Sequence, residues 1–418
     1  MDLKESRSIA EKLFAEVREL TFDGVGVSRE SYGARESATA DYLRRFAADA
    51  GFAVRADRAG NLVIGFPDTP ADAPAVWCGS HIDSVPQGGN YDGLAGVVAG
   101  LLCLLEQQRS GVRSPLPLQV LGFRGEESAW FGKAYIGSSA LLGKLDADDL
   151  ALRQRDSGET LGACMQQVGA DMEAIRAGQA LFDPQTVRAF LELHIEQGPV
   201  MEARKLPVAI VSGIRGNIRH NGVQCIGASG HSGAIPRWLR RDAMFAVADL
   251  IMRLDEHWSV LLERGTDLVV TTGMLSTNAA EHATSRIPGH VKFSFEVRSK
   301  SIDTLEAFYQ LMRAECTAIS RERQVRFEFD RRLLSSPATM DPQLCNLLSK
   351  VCAGKSIPFE VIPSGAGHDA SMFANAGIPS SMIFVRNENG SHNPDEAMDL
   401  DDFMLGVDVL DQAIHEIR

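Results

Sequence analysis

A chain of 418 residues exceeds what one ordinary hydrophobic core covers, so two domains are expected. A net charge of −13 argues against nucleic acid or an anionic membrane surface as a partner, and no stretch is long and apolar enough to span a bilayer. The seven cysteines are scattered without a CxxC pair, which argues for reduced thiols in a cytoplasmic protein and against a thiolate zinc site, so a metal here would need His and carboxylate ligands.

The first residues, Met1 to Ser6, lack the basic and apolar regions of a secretory leader, and Ile9, Leu13, Phe14, Val17 and Leu20 form one face of an amphipathic helix. Residues 1–70 read as helices leading to a strand over 60–66, followed by a Pro/Asp-rich loop through Pro74. The apolar run 75–79 reads as a buried strand. It delivers Gly79-Ser-His-Ile-Asp83 and a Gly-rich loop that ends at Asp92-Gly-Leu94, where an apolar helix over 94–108 begins. Residues 117–123 are another buried strand, ending in Arg124-Gly-Glu-Glu-Ser128. Residues 144–188 look helical and polar, as surface structure over one side of a sheet, and 189–195 and 208–212 are further strands. Strands separated by helices, with polar residues at the strand carboxyl ends, indicate an α/β sheet that collects its site at those ends.

The pattern changes after Gly213. Residues 217–227 alternate apolar and polar as a half-buried strand, then come a helix (242–263), strands (267–274 and 290–298), a helix (302–319) and a strand (325–329). This β-α-β-β-α-β order predicts a ferredoxin-like α+β domain over 213–329, inserted into a discontinuous α/β domain of residues 1–212 and 330–418. The latter resumes with a helix over 341–353, the segment Ser364-Gly-Ala-Gly-His-Asp369, a strand over 381–385 and a C-terminal helix.

Singly, the polar residues at these strand ends have ordinary explanations: a turn for Asp92-Gly93, a solvated acidic loop for Glu126-Glu127, a satisfied core histidine for His194, an exposed loop histidine for His392. Together they form a ligand set. One divalent ion would take His81, Asp92 and His194, and a second Asp92, Glu127 and His392, with Asp92 bridging them and Asp83 fixing the His81 tautomer. Two ions sharing a water would lower its pKa and polarise a substrate carbonyl. Glu126, beside a ligand without being required as one, would be the general base and proton shuttle. Zinc, manganese, cobalt and nickel all suit such ligands.

The spacing His-x-Asp, Asp-Gly, Glu-Glu and His resembles the dinuclear metallohydrolases of the M20 peptidase superfamily. Arg124-Gly-Glu-Glu-Ser128, Leu193-His-Ile-Glu-Gln-Gly-Pro199, Gly365-Ala-Gly-His-Asp369 and Gly390-Ser-His-Asn-Pro394 are similar to its hydantoinase/carbamoylase branch, whose members are N-carbamoyl-L-amino-acid hydrolases, allantoate amidohydrolases and β-ureidopropionases. The resemblance implies a cytoplasmic homodimer formed through the inserted domain, which also acts as a lid. It further implies an oxyanion-stabilising His231 in Gly230-His-Ser-Gly233, a substrate-binding Gln197, and Asn278 with Arg286 as the pair that holds a substrate carboxylate. His368-Asp369 matches a family motif without an assigned role beyond support. The expected activity is metal-dependent hydrolysis of a small-molecule ureido acid, first an N-carbamoyl-L-amino acid, with allantoate or N-carbamoyl-β-alanine as alternatives. A peptidase or deacylase is disfavoured by His194 and Gln197, and a non-catalytic binding protein by the intact ligand set with Glu126.

Overall fold

The computed structural model describes residues 3–70 and 73–418. Met1 and Asp2 at the start of the first expected helix, and Ala71 and Asp72 of the Pro/Asp-rich loop, lie outside the described residues. The chain divides into two compact units, Met1–Gly213 with Thr339–Arg418, and Ile214–Ala338.

The first unit is built on a mixed sheet. Its centre consists of Leu118–Phe123, Ala75–His81, Val187–Ile195 and Ser380–Val385, side by side in that order and all parallel. Antiparallel strands flank them: Leu62–Gly65 and Ala53–Ala56 on one side, Val208–Ile214 on the other. The short strand Ala53–Ala56 and the strand Phe359–Ser364, which pairs with Val208–Ile214, are additions to the elements read from the sequence.

Parallel strands that feed helices are covered on both faces, which is why these read as continuous apolar runs. On one face Val76, Cys78, Val120, Leu191 and Leu193 pack with the helices Leu94–Ser110 and Leu400–Glu416. On the other, the alternate residues Trp77, Phe123 and Phe190 gather around Phe373 of the helix Asp369–Ala374. Residues 144–188 differ from expectation. They form short helices, Ala147–Leu150, Leu161–Gln167 and Met172–Arg176, that bury Leu161, Met165 and Ile175 instead of lying as a polar surface layer. Their apolar residues are spaced for single turns, so no long periodic pattern announces them.

The second unit has the strand order Leu275–Thr277, His290–Ser299, Gly216–Ile226, Arg326–Glu328, all antiparallel. This is the arrangement a β-α-β-β-α-β sequence takes when both helices, Ala243–Glu263 and Ile302–Arg323, cover one face. Phe293, Phe295, Leu250, Phe308 and Met312 make that core. The expected strand over 267–274 is instead two pieces, Val269–Thr271 and Leu275–Thr277, both paired with His290–Ser299. At the break the Ser294 hydroxyl accepts the amides of Gly273 and Met274, replacing ladder bonds. Leu333–Ser335 adds a further antiparallel partner to Gly216–Ile226.

Candidate active site

Within the first unit, all four central parallel strands end at one place. Ala75–His81 ends in His81, Leu118–Phe123 leads to Glu126 and Glu127, Val187–Ile195 carries His194 at its penultimate position, and Ser380–Val385 leads to the loop of His392. The loop between Ala75–His81 and Leu94–Ser110 adds Asp83 and Asp92. A parallel sheet collects its chemistry at the carboxyl ends of its strands, because the turns there are free of the packing that the helices impose elsewhere.

Asp92 lies at the centre. One of its oxygens, Oδ1, is 3.3 Å from His81 Nε2 and 3.2 Å from His194 Nε2; the other, Oδ2, is 3.4 Å from His392 Nε2, which in turn lies 3.1 Å from Glu127 Oε1. His81, Asp92 and His194 thus form one three-ligand group and Asp92, Glu127 and His392 another, each with its donor atoms within 4.8 Å of one another. Both buried imidazoles have their tautomer set by the opposite nitrogen. His194 Nδ1 is 2.9 Å from the Ile195 carbonyl, and His81 Nδ1 is 3.1 Å from the Asp83 carbonyl and 3.3 Å from its carboxylate. With the proton on Nδ1, each Nε2 lies beside Asp92 as an unprotonated nitrogen, and that of His194 also accepts the Gly93 amide at 3.2 Å. Asp92 Oδ1 accordingly is buried with no hydrogen bond, an expensive state for a carboxylate oxygen. An oxygen without a donor, facing two unprotonated imidazole nitrogens, fits a divalent cation: the carboxylate and imidazole donors suit zinc, manganese, cobalt or nickel, and no cysteine is among them.

A proton on each imidazole would supply the same positive charge to these carboxylates. Burial would raise Asp92, but the imidazoles of His194, His392 and His81 hold it well below the usual carboxylate range. Hydrogen bonds to Asp92 and Glu127 push His392 up to about 11. Burial lifts Glu126 well above the usual range, with Glu127 and Asp369 adding to the effect and His81 opposing it. Glu126 Oε2 is 4.0 Å from His81 Nε2, beside the two groups that share Asp92 and outside both. Asp83 belongs to neither ligand group. Its carboxylate accepts the amides of Glu126 and Glu127 and the Ser31 hydroxyl, so it ties the His81 loop to the Glu126–Glu127 turn as well as facing His81.

Gln197 and His392 both adopt left-handed backbone conformations, with φ of 63° and 62°. Such conformations are costly for residues with side chains and are retained where neighbours fix them. Gln197 donates to Asp92 Oδ2 at 2.8 Å, inside the ligand cluster. His368 is buried with its ring edge-on to His194, 4.5 Å between centroids, and bonded to the Ser364 hydroxyl; Asp369 accepts from Ser138. Several residues with no role in the sequence reading also belong here. Arg29 is fully buried and donates to the Ile82 carbonyl under the His81 loop, Glu192 accepts from Ser80 and from the Ala370 amide, and Ser391 and Glu396 contact Asp92 or its backbone. Of these, Ser391 falls inside a motif read from the sequence, Gly390-Ser-His-Asn-Pro394, and Glu396 lies just beyond it. Nothing local marks Arg29.

The inserted unit groups its three expected residues separately. His231 pairs with Arg286 between the strands Gly230–His231 and Arg286–Ile287. Its Nδ1 accepts the Gly233 amide. Asn278 caps the turn Ala279–Glu281. Asn278 Nδ2 and Arg286 both donate to the Glu281 carboxylate, at 3.1 and 2.9 Å. They line a cavity of about 360 Å³ together with Thr277, His282 and His290.

These features have counterparts in known proteins. A profile of peptidase family M20/M25/M40 matches residues 77–416. An N-carbamoyl-L-amino acid amidohydrolase of Geobacillus stearothermophilus is 35% identical over 94% of this chain and 93% of its own length. An allantoate amidohydrolase of Escherichia coli K12 is 30% identical over 94% and 93%. The solved structure of an amidase of the hydantoinase/carbamoylase family from Burkholderia multivorans superposes with a TM-score of 0.88 at 27% identity, covering 100% of this chain and 98% of that one. The chain belongs to peptidase family M20/M25/M40.

Proposed function

We propose that this M20-family hydrolase of amide-type C–N bonds removes the carbamoyl group of an N-carbamoyl-L-amino acid, releasing the amino acid, ammonia and carbon dioxide. The observation that carries the reading is the arrangement around Asp92: two three-ligand groups sharing one carboxylate, with Glu126 alongside. The relative of highest identity reported above carries that activity in its name, which supports the choice of substrate.

His81, Asp92 and His194 would hold one divalent ion, and Asp92, Glu127 and His392 a second. Such ions, when bound, polarise a carbonyl and acidify water. The protein's own groups do the rest. Glu126, made basic by its burial, takes a proton from the attacking water and returns it to the departing nitrogen. His231 stabilises the oxyanion that develops on the ureido oxygen. Asn278 and Arg286 anchor the substrate carboxylate, and their grip on Glu281 is support for that assignment, since the pair already accommodates one carboxylate. Gln197, hydrogen-bonded to Asp92, contributes to substrate binding.

The proposed assembly is a homodimer through the inserted unit. That unit exposes Phe245 and Met252 on its helix Ala243–Glu263 and ends its sheet on Leu275–Thr277, an edge whose Leu275 is also exposed. Sedimentation of the protein at several concentrations checks it. No helix among the described residues is long and apolar enough to cross a membrane, and a cytoplasmic location fits the dispersed thiols.

Allantoate is the second reading, favoured by the Escherichia coli relative at 30% identity over a comparable share of both chains. Ammonia release by protein reconstituted with manganese or zinc, on N-carbamoyl-L-amino acids, N-carbamoyl-β-alanine and allantoate in parallel, decides between them. Turnover of the first class alone supports the primary reading. Turnover of allantoate alone replaces it with the second, and silence on all three in metal-loaded protein removes both.

A further inference from the structure

We propose that Glu396 is a positioning residue for the shared ligand Asp92, the clasp that fixes the Asp92 loop against the His392 loop and aims Asp92 Oδ1 at His81 and His194. The proposal rests on the metal-site reading given above.

Glu396 follows His392 by four residues, at the foot of a short antiparallel pair, Asn387–Glu388 with Ala397–Met398, which closes the His392 loop. Its side chain leaves that loop and enters the one 304 residues earlier in the chain. Oε1 accepts the amides of Tyr91 and Asp92, at 2.9 and 3.2 Å. Oε2 lies 2.6 Å from the Ser391 hydroxyl, and the same hydroxyl lies 2.6 Å from Asp92 Oδ2. One carboxylate therefore grips Asp92 from behind by its backbone and, through Ser391, from the side. Gln197 holds the same Oδ2, so every protein donor to the Asp92 carboxylate falls on Oδ2. Oδ1 is left without one, turned to the two imidazoles.

The neighbouring chain is shaped around this clasp. A β-carbon built on Gly89 would stand 2.1 to 2.4 Å from the carboxyl carbon, Oε1 and Cβ of Glu396. Glycine at 89 is thus what lets the Glu396 side chain pass. The placement is also costly: Glu396 is only 7% exposed, and burial pushes its carboxyl up to about 7, with the buried Arg29 near enough to feel its charge. A buried carboxylate is an expensive way to fill space, and an apolar side chain of that size would fill it better. What a carboxylate supplies is Oε1 as acceptor for the Tyr91 and Asp92 amides and Oε2 against the Ser391 hydroxyl, which bridges the two acidic side chains with its one proton. Groups that orient a metal ligand from outside typically change ion affinity by about 10–100-fold when removed.

The experiment measures Mn(II) affinity by competition with a chromophoric chelator, together with amide exchange of the segment 89–92, in the parent protein, E396A, E396Q, G89A and the double variant. The expected result is Mn(II) binding about 10–100-fold weaker in E396A, with faster exchange at residues 91 and 92. E396Q keeps an amide oxygen for the two backbone donors and a nitrogen that donates to Ser391, so it should retain most of the affinity. G89A, which displaces the carboxylate, should match E396A, and the double variant should be no worse than E396A alone. The non-additivity separates a clasp from two independent structural lesions. Should E396A fail to fold, E396Q and G89A carry the comparison. E396A binding Mn(II) as tightly as the parent, or additive losses in the double variant, would overturn the proposal. A parent protein that binds no divalent ion would instead overturn the metal-site reading, and the proposal with it.

Discussion

Gly93 leaves no room for a side chain beside His81: a β-carbon there would lie 2.4 Å from two ring atoms of the imidazole. The same residue has φ of 69°, so both its conformation and its lack of a side chain are needed at the point where the Asp92 loop turns into the helix Leu94–Ser110.

Gly93→Ala should therefore damage the site twice. Its backbone, φ 69° with ψ −51°, lies outside the left-handed helical region and would cost an alanine about 1–3 kcal/mol, and the overpacking about 1–3 kcal/mol more. The expected outcome is a lower Tm together with metal affinity reduced by about an order of magnitude or more, because His81 must turn away. Thermal unfolding and metal titration of the variant check this. Unchanged metal affinity would mean that His81 is not a ligand.

Glu126→Gln removes the proton acceptor and keeps the shape. Turnover should fall by about 10²–10⁴-fold, the usual contribution of a positioned acid–base group. Metal content, read by elemental analysis, should stay that of the parent, since neither group sharing Asp92 uses Glu126. A variant that lost its metal would make Glu126 a ligand, an arrangement the cluster His81, Glu126 and Glu127 also permits.

Glu281 competes with substrate for Asn278 and Arg286 in the proposed mechanism. Arg286→Gln should raise KM for a carbamoyl amino acid by about 10–100-fold, the worth of a charged hydrogen bond. It should leave kcat nearly unchanged and have no such effect on the methyl ester of the same substrate. Glu281→Ala should lower KM. Steady-state kinetics on acid and ester, side by side, is the measurement; equal effects on both substrates would remove Arg286 from the carboxylate site.

Stability should depend on pH through Asp411, far along the chain on the helix Leu400–Glu416. Burial pushes its carboxyl up to about 6, helped by Glu106 and Asp408 and opposed by His415. A carboxyl whose folded pKa is raised stabilises the fold most when protonated, at low pH, and that contribution is lost as pH rises through about 6. Asp411→Asn removes the charge at every pH. The variant should be more stable than the parent at pH 8, by up to about 3 kcal/mol, with the difference shrinking toward pH 4. Denaturant unfolding of metal-free protein at both pH values checks the sign; a difference that grows as pH falls would contradict it.

The strand-end positions of His81, Glu127, His194 and His392 were legible in the sequence because a buried parallel strand is a continuous apolar run, and the polar residue that ends it is conspicuous. The β-α-β-β-α-β order of the inserted unit was legible for a similar reason: alternation and helical period each persist over ten or more residues there. The short helices between 144 and 188 and the broken strand around Gly273 were not, since single turns and a side chain replacing ladder bonds leave no period to read.

What the sequence by itself determined was the type of chemistry on offer: carboxylate and imidazole donors without thiolates, and a nearby spare glutamate, on an acidic chain. Only the tertiary structure decided how those donors face one another. Which oxygen of Asp92 meets His81 and His194, that Glu281 occupies the grip of Asn278 and Arg286, and that Glu396 reaches across 304 residues to hold the Asp92 loop are long-range contacts. Local periodicity reports the path of the backbone and carries no information about which distant side chain comes to rest against it.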